Sequence, residues 1–141
     1  MDRAAPNIGN NEKCILIVDE DRDDWDTFRE IFGIIRPSLL LKFIPNGKDA
    51  LHYLVTAKGY PALIISDIHI PCMNGFEFRR ALLNNQRLRN AAIPFVFLTL
   101  ASSMINKVVS RQLQVTGVFE KASSFSRFRM VLEGILASSG M

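Results

Sequence analysis

Cys14-Ile15-Leu16-Ile17-Val18-Asp19-Glu20-Asp21 is the stretch whose reading decides the fold. Five apolar residues run on without alternation and then stop at three acids. A strand with one wet face alternates, whereas an unbroken run of strand length is expected where helices cover both faces of a parallel sheet. Behind this run, Trp25, Phe28, Phe32 and Ile35 fall at spacings of 3, 4 and 3, which places them on one helical face until Pro37 ends the pattern.

The same unit of strand and helix recurs along the chain. Residues 39–44 read as a second strand, Pro45-Asn46-Gly47 as a turn, and Ala50, Leu51 and Leu54 as a short helix. Residues 62–66 form a third strand ending at Asp67, and the loop Ile68-His69-Ile70-Pro71-Cys72-Met73-Asn74-Gly75 leads into a helix over about 76–85. After a polar connection, residues 93–99 are β-branched and aromatic, a fourth strand, followed by a helix over 103 to about 114. Val118 and Phe119 mark a short fifth strand, and Ser123 or Ser124 caps a last helix with Phe125, Phe128, Val131, Leu132 and Ile135 on one face. Strand starts near 14, 39, 62, 93 and 117 are separated by about a strand plus a crossover helix. The expected class is α/β, a doubly wound (βα)5 domain with a five-stranded parallel sheet, flavodoxin-like, with five helices.

Composition agrees with that class. The chain has 141 residues, 48% hydrophobic and 22% charged, which suits one domain with a full core and excludes a disordered, fibrous or disulfide-stapled protein. No apolar run reaches the roughly 18 residues that a membrane span needs. Residues 1–12 are polar with Pro6 and Gly9 and lack the apolar core of a secretion signal, so they read as a tail before a domain over 13–138 in a cytoplasmic protein. Cys14 and Cys72 have no metal-ligand spacing, and a disulfide is not expected. His52 reads as a helix-surface residue.

The net charge of +3 conceals an asymmetry. Residues 1–77 carry 8 basic and 12 acidic side chains, net −4, and residues 78–141 carry 9 and 2, net +7. Six acids crowd into eight positions: Asp19, Glu20, Asp21, Asp23, Asp24 and Asp26. The last three read as a solvated helix start, where the helix dipole favours carboxylates. The basic residues Arg79, Arg80, Arg87, Arg89, Lys107, Arg111, Arg127 and Arg129 read as a solvated or partner-docking face rather than a nucleic-acid patch.

In open α/β sheets, ligands bind beyond the carboxyl ends of the strands, near the point where strand order reverses. Asp19 and Glu20, Asp67, Thr99 and Lys121 stand at or just past those ends. Close carboxylates repel one another unless a cation sits among them, and oxygen-only donors favour a hard ion such as Mg²⁺, which keeps waters and phosphate oxygens in its shell. A carboxylate can act as nucleophile and become an acyl phosphate, with a hydroxyl and an ammonium beside it to receive the phosphoryl oxygens.

The ordered set Ile-Leu-Ile-Val-Asp19-Glu20-Asp21, Leu-Ile-Ile-Ser-Asp67-Ile-His-Ile-Pro71-Cys-Met-Asn-Gly75, Phe-Val-Phe-Leu-Thr99 and Gly-Val-Phe-Glu-Lys121 resembles the receiver domain of two-component response regulators over about 13–138. The resemblance implies a stand-alone phosphorelay signalling module rather than an enzyme. Asp67 would take a phosphoryl group from a sensor histidine kinase or a histidine phosphotransfer protein. Asp19, Glu20, Asp67 and the backbone carbonyl of His69 would hold Mg²⁺, and Thr99 and Lys121 would form the switch. The output would be contacts with a downstream protein through the face of the helix over 103–114, the fifth strand and the last helix. The chain departs from the family in three places. Ala122 follows Lys121 where proline is usual, Leu100 follows Thr99 where a small residue is usual, a bulk to crowd the phosphoryl pocket or the moving loop, and Val118 replaces a common switch aromatic, with Phe119 the nearest ring.

Those departures raise a second reading, a pseudo-receiver that binds proteins without phosphorylation. Two enzyme readings fail on single residues. A phosphatase of the haloacid-dehalogenase type wants an acid where His69 stands, and a flavodoxin wants a phosphate loop where Asp19-Glu20-Asp21 would repel it.

Overall fold

The unbroken run of the opening stretch lies inside a five-stranded parallel sheet. In the computed structural model, which describes residues 13–100 and 107–141, the strands are β1 (Cys14–Val18), β2 (Leu40–Ile44), β3 (Leu63–Ser66), β4 (Phe95–Thr99) and β5 (Gly117–Glu120), in the order β2-β1-β3-β4-β5. All four pairings are parallel. Every residue of β1, β3 and β4 is buried, the environment that makes a strand read as a continuous apolar run.

The two faces of the sheet divide the core. Leu16 and Val18 of β1 join Ile64, Phe95 and Phe97 beneath α2 (Gly47–Thr56) and α3 (Gly75–Asn84). Ile15 and Ile17 point the other way, with Leu63, Ile65, Val96 and Leu98, beneath α1 (Arg22–Ile35) and α6 (Phe125–Ser138). This division follows the two-residue period of a strand. Helix α1 buries Trp25, Phe28, Ile31 and Phe32, and Ile35 is partly buried behind them.

The helix starts follow local chemistry. The side chains of Asp21, Asn46, Asn74 and Ser124 each accept a hydrogen bond from a backbone N–H of the first turn that follows, which satisfies donors that have no partner inside the helix. Asn74 and Glu77 form a reciprocal capping box.

The structure departs from the sequence expectation in three ways, and two expected segments lie wholly or partly outside the described residues. The polar connection after α3 contains a sixth helix, α4 (Gln86–Ala91), because Asn85 ends α3 and caps the next helix by accepting from Leu88 N. The expected helix over 103–114 is present as α5 (Lys107–Gln112), and its expected start at 103–106 lies outside the described residues. The tail over 1–12 lies outside them as well. Phe125, expected on the inner face of α6, is exposed, and Leu136 joins Phe128, Leu132 and Ile135 inside.

Finally, the basic set is not wholly a solvated face. Arg79 is buried, donates to the carbonyls of Leu113 at 2.7 Å and Gln114 at 2.9 Å, and lies over the Phe95 ring. Arg87 donates to Leu54 O, Val55 O and Tyr60 Oη. These two arginines tie α3 and α4 to the ends of other helices and are spent on the fold. Cys14 is buried and Cys72 exposed, both free, and burial pushes the Cys14 thiol up to about 11. Among the described residues, no helix is long and apolar enough to cross a membrane.

Candidate functional site

Strand order reverses between β1 and β3, whose carboxyl ends carry Asp19 and Asp67. The sheet ladder continues one residue past the strands and fixes their backbones. Asp19 N donates to Ile44 O at 3.1 Å, Asp67 N to Val18 O at 2.9 Å and Lys121 N to Thr99 O at 3.0 Å. Four of the residues singled out from the sequence, Asp19, Asp67, Thr99 and Lys121, therefore line one edge.

Their side chains meet at one cation. Lys121 Nζ lies 2.9 Å from Asp19 Oδ2, 2.8 Å from Asp67 Oδ2 and 2.8 Å from Asp24 Oδ2. The other oxygens of the two strand-end acids are held by backbone. Asp19 Oδ1 accepts from Asp21 N at 2.9 Å, and Asp67 Oδ1 accepts from Ile68 N at 2.7 Å. Each carboxylate is thus oriented by its own loop and presents one oxygen to the ammonium. Thr99 is fully buried at the end of β4.

The surrounding loops are built for close approach. Gly75 opens α3 against the Asp67 loop, where a Cβ would press on the Asp67 carbonyl oxygen and come within 2.8 Å of Ile68 Cα. Gly75 N donates to Ile68 O at 2.8 Å, which closes the loop over 67–75. Cys72 in that loop adopts φ 67, a left-handed conformation that costs a non-glycine residue roughly 1–3 kcal/mol.

Burial and charge compete within the cluster. Burial raises the Asp19 carboxyl to about 6, against the attraction of Lys121 and the Asp21 N–H, while the Asp24 charge adds to the rise. Burial alone would lower Lys121, but its hydrogen bonds to Asp24, Asp67 and Asp19 overcome this and hold it above the usual lysine range.

Asp19 and Asp67 share one cation, while Glu20 and His69, the latter expected to act through its backbone carbonyl, are exposed, and Glu20 is not among the carboxylates on Lys121. The third carboxylate is Asp24, which the sequence reading assigned to solvent along with Asp23 and Asp26. Those two are exposed, as expected. A signal for Asp24 was present, because it precedes Phe28 by four residues and Ile31 by seven and so shares the inward stripe of α1. Leu100 is 78% exposed and does not crowd the pocket, and the loop that it was expected otherwise to crowd lies outside the described residues. Among the described residues no peptide bond is cis, so Ala122 follows Lys121 in trans.

The donor set fits a hard cation. Among the described residues no three His, Cys, Asp or Glu side chains group as a metal cage, but Asp19 and Asp67 offer oxygens to one point already occupied by positive charge. Two carboxylates with water and phosphate oxygens are the usual complement of Mg²⁺. Chemically, the edge offers an oriented carboxylate, a buried hydroxyl-bearing residue and an ammonium held among three carboxylates.

Comparison with known proteins agrees with this fold. The family described as the response regulator receiver domain matches residues 15–133. Histidine kinase P4 of Formosa agariphila is 28% identical over 129 residues, which cover 92% of this chain, while the chain spans 9% of the length of that kinase. It spans 45% of a second relative, an uncharacterised 14.6 kDa protein of Leptolyngbya boryana, at 38% identity over 63 residues. Among solved structures, the phosphorylated cyanobacterial phytochrome response regulator RcpA superposes with a TM-score of 0.76 at 22% identity, covering 89% of this chain and 91% of that one. The Mn²⁺-bound form of response regulator Rcp1 gives 0.74 at 23%, covering 89% and 92%. At these identities the structural likeness is one of fold.

Proposed function

The chain belongs to the response regulator receiver domain family of two-component systems, and from that premise we propose that it is a phosphoacceptor whose Asp67 takes a phosphoryl group from a phosphohistidine of a sensor kinase or histidine phosphotransfer protein. The observation that carries this reading is the shared cation: Lys121 holds Asp67 Oδ2 at 2.8 Å and Asp19 Oδ2 at 2.9 Å at the switch point of the sheet. In the transfer, an Asp67 carboxylate oxygen attacks phosphorus. The P–O bond forms as the P–N bond breaks, and its electron pair returns to the imidazole nitrogen of the donor.

Asp19, Glu20, Asp67 and the backbone carbonyl of His69 would hold a divalent cation; that the related response regulator Rcp1 binds Mn²⁺ supports a cation here, and it would draw charge from the phosphoryl oxygens. Lys121 neutralises Asp67 beforehand and pairs with a phosphoryl oxygen afterwards. Thr99, buried at the next strand end, would turn its hydroxyl to the phosphoryl group and draw the following loop inward. That movement would bias the face of α5, β5 and α6, where Val108 and Met130 stand exposed, toward a downstream protein.

Incubation with acetyl phosphate and Mg²⁺ tests the reading by intact mass. The chain should gain one phosphoryl group, and Asp67→Asn should gain none. Equal labelling of both proteins removes the role of Asp67. A wild-type chain that stays unlabelled favours the phosphorylation-independent pseudo-receiver.

A further inference from the structure

Asp24 is the carboxylate that the phosphoacceptor reading leaves without a task. It lies 2.8 Å from Lys121 Nζ, as near as Asp67 and slightly nearer than Asp19. The three acceptors differ in depth, with side-chain exposures of 4% for Asp19, 15% for Asp67 and 28% for Asp24. Asp24 therefore holds the wetter side of the ammonium, and the two strand-end acids hold the drier side.

The position of Asp24 is built into the fold. Four residues on, Phe28 is buried edge-on against Phe128 of α6, with ring centroids 5.4 Å apart. The adjacent Trp25 donates through Nε1 to Asp19 O at 2.7 Å. The first turn of α1 is thus fastened to α6 and to the end of β1. Beside it lies a groove of about 300 Å³ lined by Asp24, Thr27, Glu30, Lys121, Ala122 and Phe125.

A divalent ion held by Asp19 and Asp67 would take two of the three acceptors of the ammonium and repel it. We propose that Asp24 is a positioning residue for Lys121: it keeps the ammonium paired at the rim of the site while Asp19 and Asp67 serve the metal, within reach of a phosphoryl group on Asp67. This role rests on the phosphoacceptor reading.

A double-mutant cycle on the full chain tests it, with Mn²⁺ as the probe and free Mn²⁺ counted by electron paramagnetic resonance. Asp24→Asn should weaken Mn²⁺ binding about fivefold when Lys121 is present, and less than about twofold in a Lys121→Gln background. Asp24→Glu should restore most of the affinity. Lys121→Met runs in parallel, and circular dichroism selects whichever lysine variant is folded. Equal weakening in both backgrounds would show Asp24 acting as a plain charge on the metal and would overturn the positioning role, as would no weakening in either. A wild-type chain that takes up no Mn²⁺ would remove the cation site itself, and this role with it, a result distinct from equal losses.

Discussion

Trp25 Nε1 donates a 2.7 Å hydrogen bond to the backbone oxygen of Asp19, which fastens the single tryptophan of the chain to the strand end of the candidate site. The indole also stacks on Phe43, with centroids 5.2 Å apart, and lies under the Arg22 guanidinium. Any shift of Asp19 toward a bound cation alters the field and the hydrogen bond at this ring. Titration with Mg²⁺ should therefore give a saturable change in tryptophan emission, absent in Asp19→Asn. An unresponsive wild-type signal beside calorimetrically detected binding would show that the indole does not sense the site.

Lys121 is the sole cation on three carboxylates among the described residues. Burial already raises Asp19 to about 6 with the lysine in place, and Lys121→Met removes the attraction that limits the rise. A carboxyl whose folded pKa lies above its unfolded value binds protons on folding, so its contribution is present at low pH and lost as pH rises through the folded pKa. In chelator-treated buffer, urea unfolding should show Lys121→Met losing about 2 kcal/mol at pH 7.5 and clearly less at pH 5. The same loss at both pH values would exclude this linkage.

Gly75 leaves no space for a side chain. Its Cβ would press on Asp67 O and approach Phe97 Cε1 to 3.1 Å. Gly75→Ala should cost about 1–3 kcal/mol through backbone displacement and should slow phosphorylation by moving the Asp67 loop. Gly33→Ala is the control, because that position in α1 is exposed with nothing within 4 Å of a Cβ. It should stabilise the protein by about 0.5–1 kcal/mol in the same unfolding measurement.

Arg79 spans from α3 to the carbonyls of Leu113 and Gln114, just past α5. Arg79→Met keeps the bulk and removes the donors, and it should cost about 2 kcal/mol. Hydrogen exchange should quicken in α5 and the turn before β5 more than in α1. A uniform change across the chain would instead point to a global loss.

Much of this architecture could be read in advance because it is written locally. Continuous apolar runs gave β1, β3 and β4; a helical stripe gave α1; and Ser124 was one of two serines read as the cap of the last helix. Helix α4 was missed because its six residues hold only one buried side chain, Leu88, too few to repeat at helical spacing. The exposed Phe125 was misassigned because a face inferred from periodicity has no defined edge until its neighbours are present. Arg79 and Arg87 looked like surface charge because their acceptors are carbonyls 32 to 35 residues distant in the chain.

The sequence by itself determined the parallel α/β class and the positions of Asp19, Asp67, Thr99 and Lys121 at strand ends, since burial on both faces and the two-residue period leave their mark residue by residue. The tertiary structure decided which acids face the lysine: the stripe of α1 turns Asp24 inward but does not name its partner. Asp24 and Lys121 are 97 residues apart, and Glu20, Asp23, Asp24 and Asp26 are the same kind of residue within one short stretch. Only the docking of α1 on α6, through Phe28 and Phe128, selects Asp24 for the cluster and leaves the other three exposed.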